Sequence, residues 1–145
     1  MEALVIDTNV FVAAGFNPRS SSALILAKVR EKGLRLIWNK QTRRETEMIL
    51  RRIPRLNWDE FADLFRPEGE FTGPVGHDAF MLIADSDDRK FAALSAATNH
   101  PLVTSDGDIL SQRNFLGINV LTPSEFLAGN GKGAMNRGPR ADRKP

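Results

Sequence analysis

Four carboxylates stand at separated points of the sequence, each in a setting that could bring it to a structural edge: Asp7 in DTNVFV, Glu45 in ETEMIL, Asp88 in DSDDRKF and Asp106 in LVTSD. Asp7 directly follows the apolar run ALVI, and Asp106 follows LV by way of Thr104 and Ser105. Two parallel strands that end this way deliver both carboxylates to one rim of a sheet. Carboxylates held a few ångströms apart raise one another's pKa and resist joint ionisation. Hard divalent cations remove that conflict, and Mg²⁺ prefers oxygen ligands while keeping several waters. Two such ions would activate water, orient a scissile phosphate and stabilise the departing oxyanion. The chemistry this pattern suggests is metal-activated water attacking a phosphodiester.

Other chemistries lack their residues. The 145-residue chain has no Cys, which excludes disulfides, a thiolate zinc site and a Cys nucleophile. His77 and His100 have no plausible nucleophile beside them in the sequence and read as ordinary loop residues. An aspartyl-phosphate mechanism at Asp7 generally wants a second Asp two residues on, where Asn9 stands. The GNGKG at residues 129–133 has neither a preceding strand nor a Ser or Thr after the Lys, so it is no phosphate loop.

The elements that must position these groups follow from the apolar pattern. Residues 3–6 form a continuous apolar strand, residues 20–32 a helix opened by Ser20 to Ser22 and stopped by Gly33, and residues 34–38 a second strand. Asn39 caps a helix to Arg52 that Pro54 ends, and a short helix follows Asn57. Residues 66–76 hold two Pro and three Gly and read as loop, with a strand at 80–83. A helix over 87–99 comes next, capped by Asp87, then strands at 101–104 and 118–121. Pro123 opens a last helix to Leu127. This alternation of continuous apolar strands and helices predicts an α/β fold with a parallel sheet covered on both faces. Ligands of such folds bind beyond the carboxyl ends of the strands.

Residues 129–145 carry five basic groups and one acid and almost nothing apolar, so a disordered basic tail is expected after a domain spanning 1–128. That tail accounts for the positive net charge, because the body has 15 basic and 17 acidic residues. Glu2 replaces a basic leader region and the first apolar run stops at Asp7, so no signal peptide is expected. No run approaches the roughly 20 apolar residues of a membrane span, and a cytoplasmic location is expected.

In their order and spacing, DTNVFV at Asp7, the E-x-x-x-I-L helix at Glu45, DSDDRKFAALSAA around Asp88 and LVTSD ending at Asp106 resemble the motifs of PIN-domain nucleases, closest to the bacterial toxin–antitoxin type. The resemblance covers residues 2–127. It implies a three-layer α/β/α sandwich, Mg²⁺- or Mn²⁺-dependent cleavage of RNA, an antitoxin partner and a homodimer. It also implies that Asp7, Glu45, Asp88 and Asp106 are the metal ligands, with Asn9 and Thr104 orienting them and Asp108 as a further acid or a helix cap. Ser86 stands where the family often has Pro, and Asp85 and Asp87 compete with Asp88 for the ligand role, as Glu47 does with Glu45. A PIN-like module that binds RNA or protein without cutting is the alternative; its retention of four mutually repelling carboxylates argues against it. Arg43, Arg44, Arg51, Arg52 and Arg55 form a basic run, ordinarily a solvated face, from which Arg51, Arg52 and Arg55 are assigned to RNA. Trp38 and Trp58 read as core or interface, and Phe61, Leu64 and Phe65 as core packing rather than a partner groove.

Overall fold

The computed structural model describes residues 1–76 and 80–129. Four parallel strands form its sheet: β1 (Ala3–Ile6), β2 (Arg35–Ile37), β3 (Leu102–Val103) and β4 (Val120–Leu121), in spatial order β2-β1-β3-β4. Val5 lies opposite Ile37 on one side, and Ile6 opposite Val103 on the other. All four residues of β1 are buried, as a central strand covered on both faces requires. Successive side chains point to opposite faces. Leu4 and Ile6 enter a core with Val10, Phe11, Ile25 and Leu50, while Ala3 and Val5 enter a second core with Phe91, Leu94 and Ile109. The fold is thus the expected α/β/α arrangement, one sheet between two helical layers.

The first layer holds α1 (Thr8–Phe16), α2 (Ser21–Arg30), α3 (Lys40–Arg51) and α6 (Pro123–Leu127). Ser20 caps α2 by accepting from the Ala23 N–H, and Ser22, Ile25, Leu26 and Val29 form its buried stripe. Asn39 and Thr42 close a reciprocal capping box on α3. Phe11 stacks on Phe65 at 5.6 Å between ring centres, and Trp38 and Trp58 pack against the same ring, which makes these aromatics core. On the other face lie α4 (Ser86–Thr98) and α5 (Gly107–Ser111). Asn99, in the left-handed region at φ 58°, ends α4.

Two helices, α1 and α5, have no counterpart among the expected elements. The sequence of α1, TNVFVAAGF, is apolar almost throughout and shows no 3.6-residue polar alternation to mark it. The strand expected at 80–83 is absent: Phe80 and Ile83 are buried, but the segment turns into α4 instead of pairing with the sheet. The cap of α4 is Asp85, which accepts from the Asp87 N–H, and not Asp87 itself. His77 and the tail from residue 130 lie outside the described residues, so the expectations placed on them stand as expectations. His100 sits in the turn between α4 and β3, at the opposite end of the sheet from Asp7.

The outer edge of β2 is covered at one point by a short 3₁₀ turn, Pro67–Gly69, and a parallel bridge from Trp38 to Glu70. Gly69 approaches so closely that a Cβ there would lie 1.9 Å from the carbonyl oxygen of Leu36. Only glycine fits this contact. Among the described residues no helix is long and apolar enough to cross a membrane.

Candidate metal centre

Asp7 is the first residue past β1 and the N-cap of α1, yet its side chain makes no capping hydrogen bond. The carboxylate is instead turned to the rim of the sheet, where the Thr104 hydroxyl donates to its Oδ2 at 2.6 Å. The same Thr104 oxygen accepts the Asp106 N–H at 3.0 Å. One fully buried hydroxyl therefore ties the two strand-end acids together. Asn9 contributes from α1, where its Oδ1 accepts the Ser105 N–H at 3.3 Å. These bonds fix the turn after β3, and Asp106 begins α5 by accepting from the Asp108 N–H through Oδ1. Asp108 itself is exposed in the first turn of α5 and joins no acidic group.

Asp88 arrives from the first turn of α4. Oxygens of Asp7, Asp88 and Asp106 lie within 4.8 Å of one another. Three helix N-termini, those of α1, α4 and α5, meet at this rim, and their partial positive charge favours anions there. That help is incomplete. Burial pushes the Asp7 carboxyl up to about 6, against the lowering effect of the Thr104 hydroxyl and the Thr8 N–H, with Asp106 and Glu45 adding repulsion. Burial also raises Asp88, to about 7, and the neighbouring charges of Asp7, Asp85 and Asp106 raise it further. Among the described residues no Lys or Arg forms an ion pair with any of the three. Three converging oxygen donors without a cationic partner fit a hard divalent cation.

Glu45 reaches the same rim from α3 but stands outside that trio. It is buried, and its Oε1 accepts no hydrogen bond. Its ion partner among the described residues is Lys90 of α4, whose Nζ lies 3.5 Å from Oε1, close enough for charge attraction though without hydrogen-bond geometry. Asp87, the rival to Asp88, is bound to the same ammonium at 3.0 Å, leaving Asp88 as the acid of this segment that joins the trio. Glu47, the rival to Glu45, faces away and bridges Arg43 and Arg51. Thr8 and Thr46 share a buried hydroxyl contact of 2.9 Å that locks α1 to α3 next to Glu45. Lys90, Thr8 and Thr46 were not expected at the site. The available signal was slight: Lys90 lies three residues after Asp87, one helical turn, and Thr46 follows Glu45 directly.

The basic run divides. Arg51 is held by Glu47 at 2.7 Å, and the Arg43 guanidinium lies 5.3 Å from the centre of the Trp58 ring. Arg52 and Arg55 are exposed and make no ion pair among the described residues. Arg52 lies seven residues after Glu45, about 10 Å along the helix axis.

Comparison with curated proteins gave no match to the chain. A family profile described as the PIN domain matches residues 3–108, which includes all three converging aspartates, Glu45 and Lys90. PIN domains are generally nucleases with acidic metal-binding residues. With the parallel sheet, its two helical layers and the acidic rim at the strand ends, this match shows that the chain belongs to the PIN-domain family.

Proposed function

We propose that this protein is a divalent-metal-dependent endoribonuclease of the cytoplasm, the toxin of a toxin–antitoxin pair. One observation carries the nuclease reading: Asp7, Asp88 and Asp106, from three separate segments, converge within 4.8 Å with no ion-paired Lys or Arg among the described residues to neutralise them. Mg²⁺ or Mn²⁺ bound there would supply Lewis-acid activation of water and positive charge for the phosphodiester. The chain's own part is to keep the donors in place. Thr104 holds the Asp7 carboxylate by its hydroxyl, Asn9 holds the Ser105 backbone, and Asp106 is fixed as the cap of α5. Glu45 adds a fourth carboxylate at the rim. Arg52 and Arg55, exposed at the end of α3, supply cations for the phosphates of an RNA that passes the site.

The choice of RNA, the antitoxin and a homodimer rest on the motif resemblance to the toxin–antitoxin type. Exposed Phe16, Leu24 and Phe115 offer apolar surface for such contacts. The test is cleavage of end-labelled structured RNAs, tRNAs included, with Mg²⁺, with Mn²⁺ and with EDTA, alongside Asp7→Asn. Divalent-dependent cutting that the variant lacks is expected. Cutting that persists in EDTA overturns the mechanism, and RNA binding without cutting under any condition favours the silent module.

A further inference from the structure

Among the described residues, five carboxylates of the rim fall into two sets. Asp7, Asp88 and Asp106 converge without an ion-paired Lys or Arg among the described residues. Glu45 and Asp87 share the ammonium of Lys90, at 3.5 and 3.0 Å. Glu45 is the more demanding partner. Its side chain is only 9% exposed and Oε1 is without a hydrogen bond, so its charge depends on a cation at close range. Lys90 retains 27% exposure and projects from α4 one turn beyond Asp87, so that the ammonium spans the gap between α4 and α3. The ammonium thus stands at Glu45, the carboxylate that a second divalent ion of a two-ion site would take as its outer ligand. A second dication there would have to share Glu45 with an ammonium a few ångströms away, and the like charges repel.

We infer that Lys90 is a built-in cation that takes the Glu45 side of the rim, so that the site binds one divalent ion, held by Asp7, Asp88 and Asp106, in place of two. Lys90 is a positioning residue in this arrangement: it holds Glu45 and, through it, the spacing of α3 and α4. The inference rests on the metal-dependent reading above and narrows it. An ammonium has three donors and no acceptor, and with one bound to Asp87 the ammonium keeps donors for a phosphate oxygen of the substrate while its charge faces Glu45.

Counting Mn²⁺ bound per chain, by the loss of the free-ion electron paramagnetic resonance signal on titration, tests this without reference to cleavage. The wild-type chain should bind one Mn²⁺, Lys90→Arg one, and Lys90→Met two. Glu45→Gln should change the affinity for the first ion by less than about threefold, whereas Asp88→Asn should weaken it more than tenfold. Two ions in the wild type, or a count of one in a folded Lys90→Met, overturns the inference while leaving the metal site standing. A loss of affinity in Glu45→Gln as large as in Asp88→Asn overturns it too, and these wild-type and Glu45 measurements decide the matter if Lys90→Met does not fold. No Mn²⁺ bound to the wild type overturns the metal reading and the inference together.

Discussion

Burial of Asp7 works against folding whenever the site lacks a cation. Its carboxyl titrates near 6 in the folded chain and near 3.8 when unfolded. Between those values the folded state holds a proton that the unfolded state has released, so stability falls as pH rises from about 4 to about 7. Asp88, raised to about 7, acts in the same direction over the same window. Asp7→Asn keeps an acceptor for the Thr104 hydroxyl and removes the charge. Metal-free Asp7→Asn should therefore match the wild type only near pH ~3 and exceed it at pH 7.5 by on the order of 3 kcal/mol. Thermal melts in EDTA across that range read the difference, and a wild type more stable than the variant at pH 7.5 would contradict the account. Thr104 offers a second check. Among the described residues its hydroxyl alone joins Asp7 to the Asp106 backbone. Thr104→Val, similar in volume but without the hydroxyl, should lower cleavage roughly 10- to 100-fold, the usual cost of losing support around a metal site. An unchanged rate would remove Thr104 from the site.

At the scale of elements, the rim exists because short strands stop together and helices start there. The Asn39 capping box sets where α3 begins and so where Glu45 stands, while Thr8 and Thr46 join α3 to α1 beside it. The 3₁₀ turn at Pro67–Gly69 matters at a distance, because it seals the edge of β2, the strand that leads into α3. Gly69→Ala would drive a methyl group into the Leu36 carbonyl. The backbone must then shift, and a loss of about 2 kcal/mol or more is expected, visible as a lower urea midpoint. A midpoint within experimental error of the wild type would show that the edge contact is dispensable. By contrast, the Arg51–Glu47 pair on the exposed face of α3 should add little, as surface pairs one turn apart usually do.

For the whole molecule, charge is separated along α3. Glu45 of the acidic rim lies midway along it, and Arg52 and Arg55 lie beyond its end. Single-stranded nucleic acid contacted by n cations shows a salt slope of about −0.7n. Replacing Arg52 and Arg55 together by Gln should flatten the plot of log binding constant against log salt by about 1.4, while leaving Mn²⁺ binding unchanged. Arg51, tied to Glu47, should contribute less than either. If neutralising all three leaves RNA affinity and its salt slope unaltered, the run is a solvated face and the RNA path lies elsewhere.

The sequence by itself determined the strands, their parallel class and the acids that end them. Four-residue apolar runs such as ALVI leave few alternatives, and a polar residue directly after one is conspicuous. The caps at Ser20 and Asn39 and the Pro123 start of α6 were legible for the same reason, since capping is local chemistry. The family resemblance rested on the strand-end motifs at Asp7 and Asp106 together with the helix motifs at Glu45 and Asp88, and the match over residues 3–108 agrees with it. What the sequence left open depended on contacts between distant segments. The helix α1 is invisible in an all-apolar stretch and forms because Val10 and Phe11 find a core to fill. The strand expected at 80–83 does not form: Phe80 and Ile83 bury, but the segment turns into α4. The choice of Asp88 over Asp87, and the pairing of Lys90 with Glu45, turn on how α4 is rotated against α3. Local patterns cannot encode that rotation; the packing of the two helices around the end of β1 decides it.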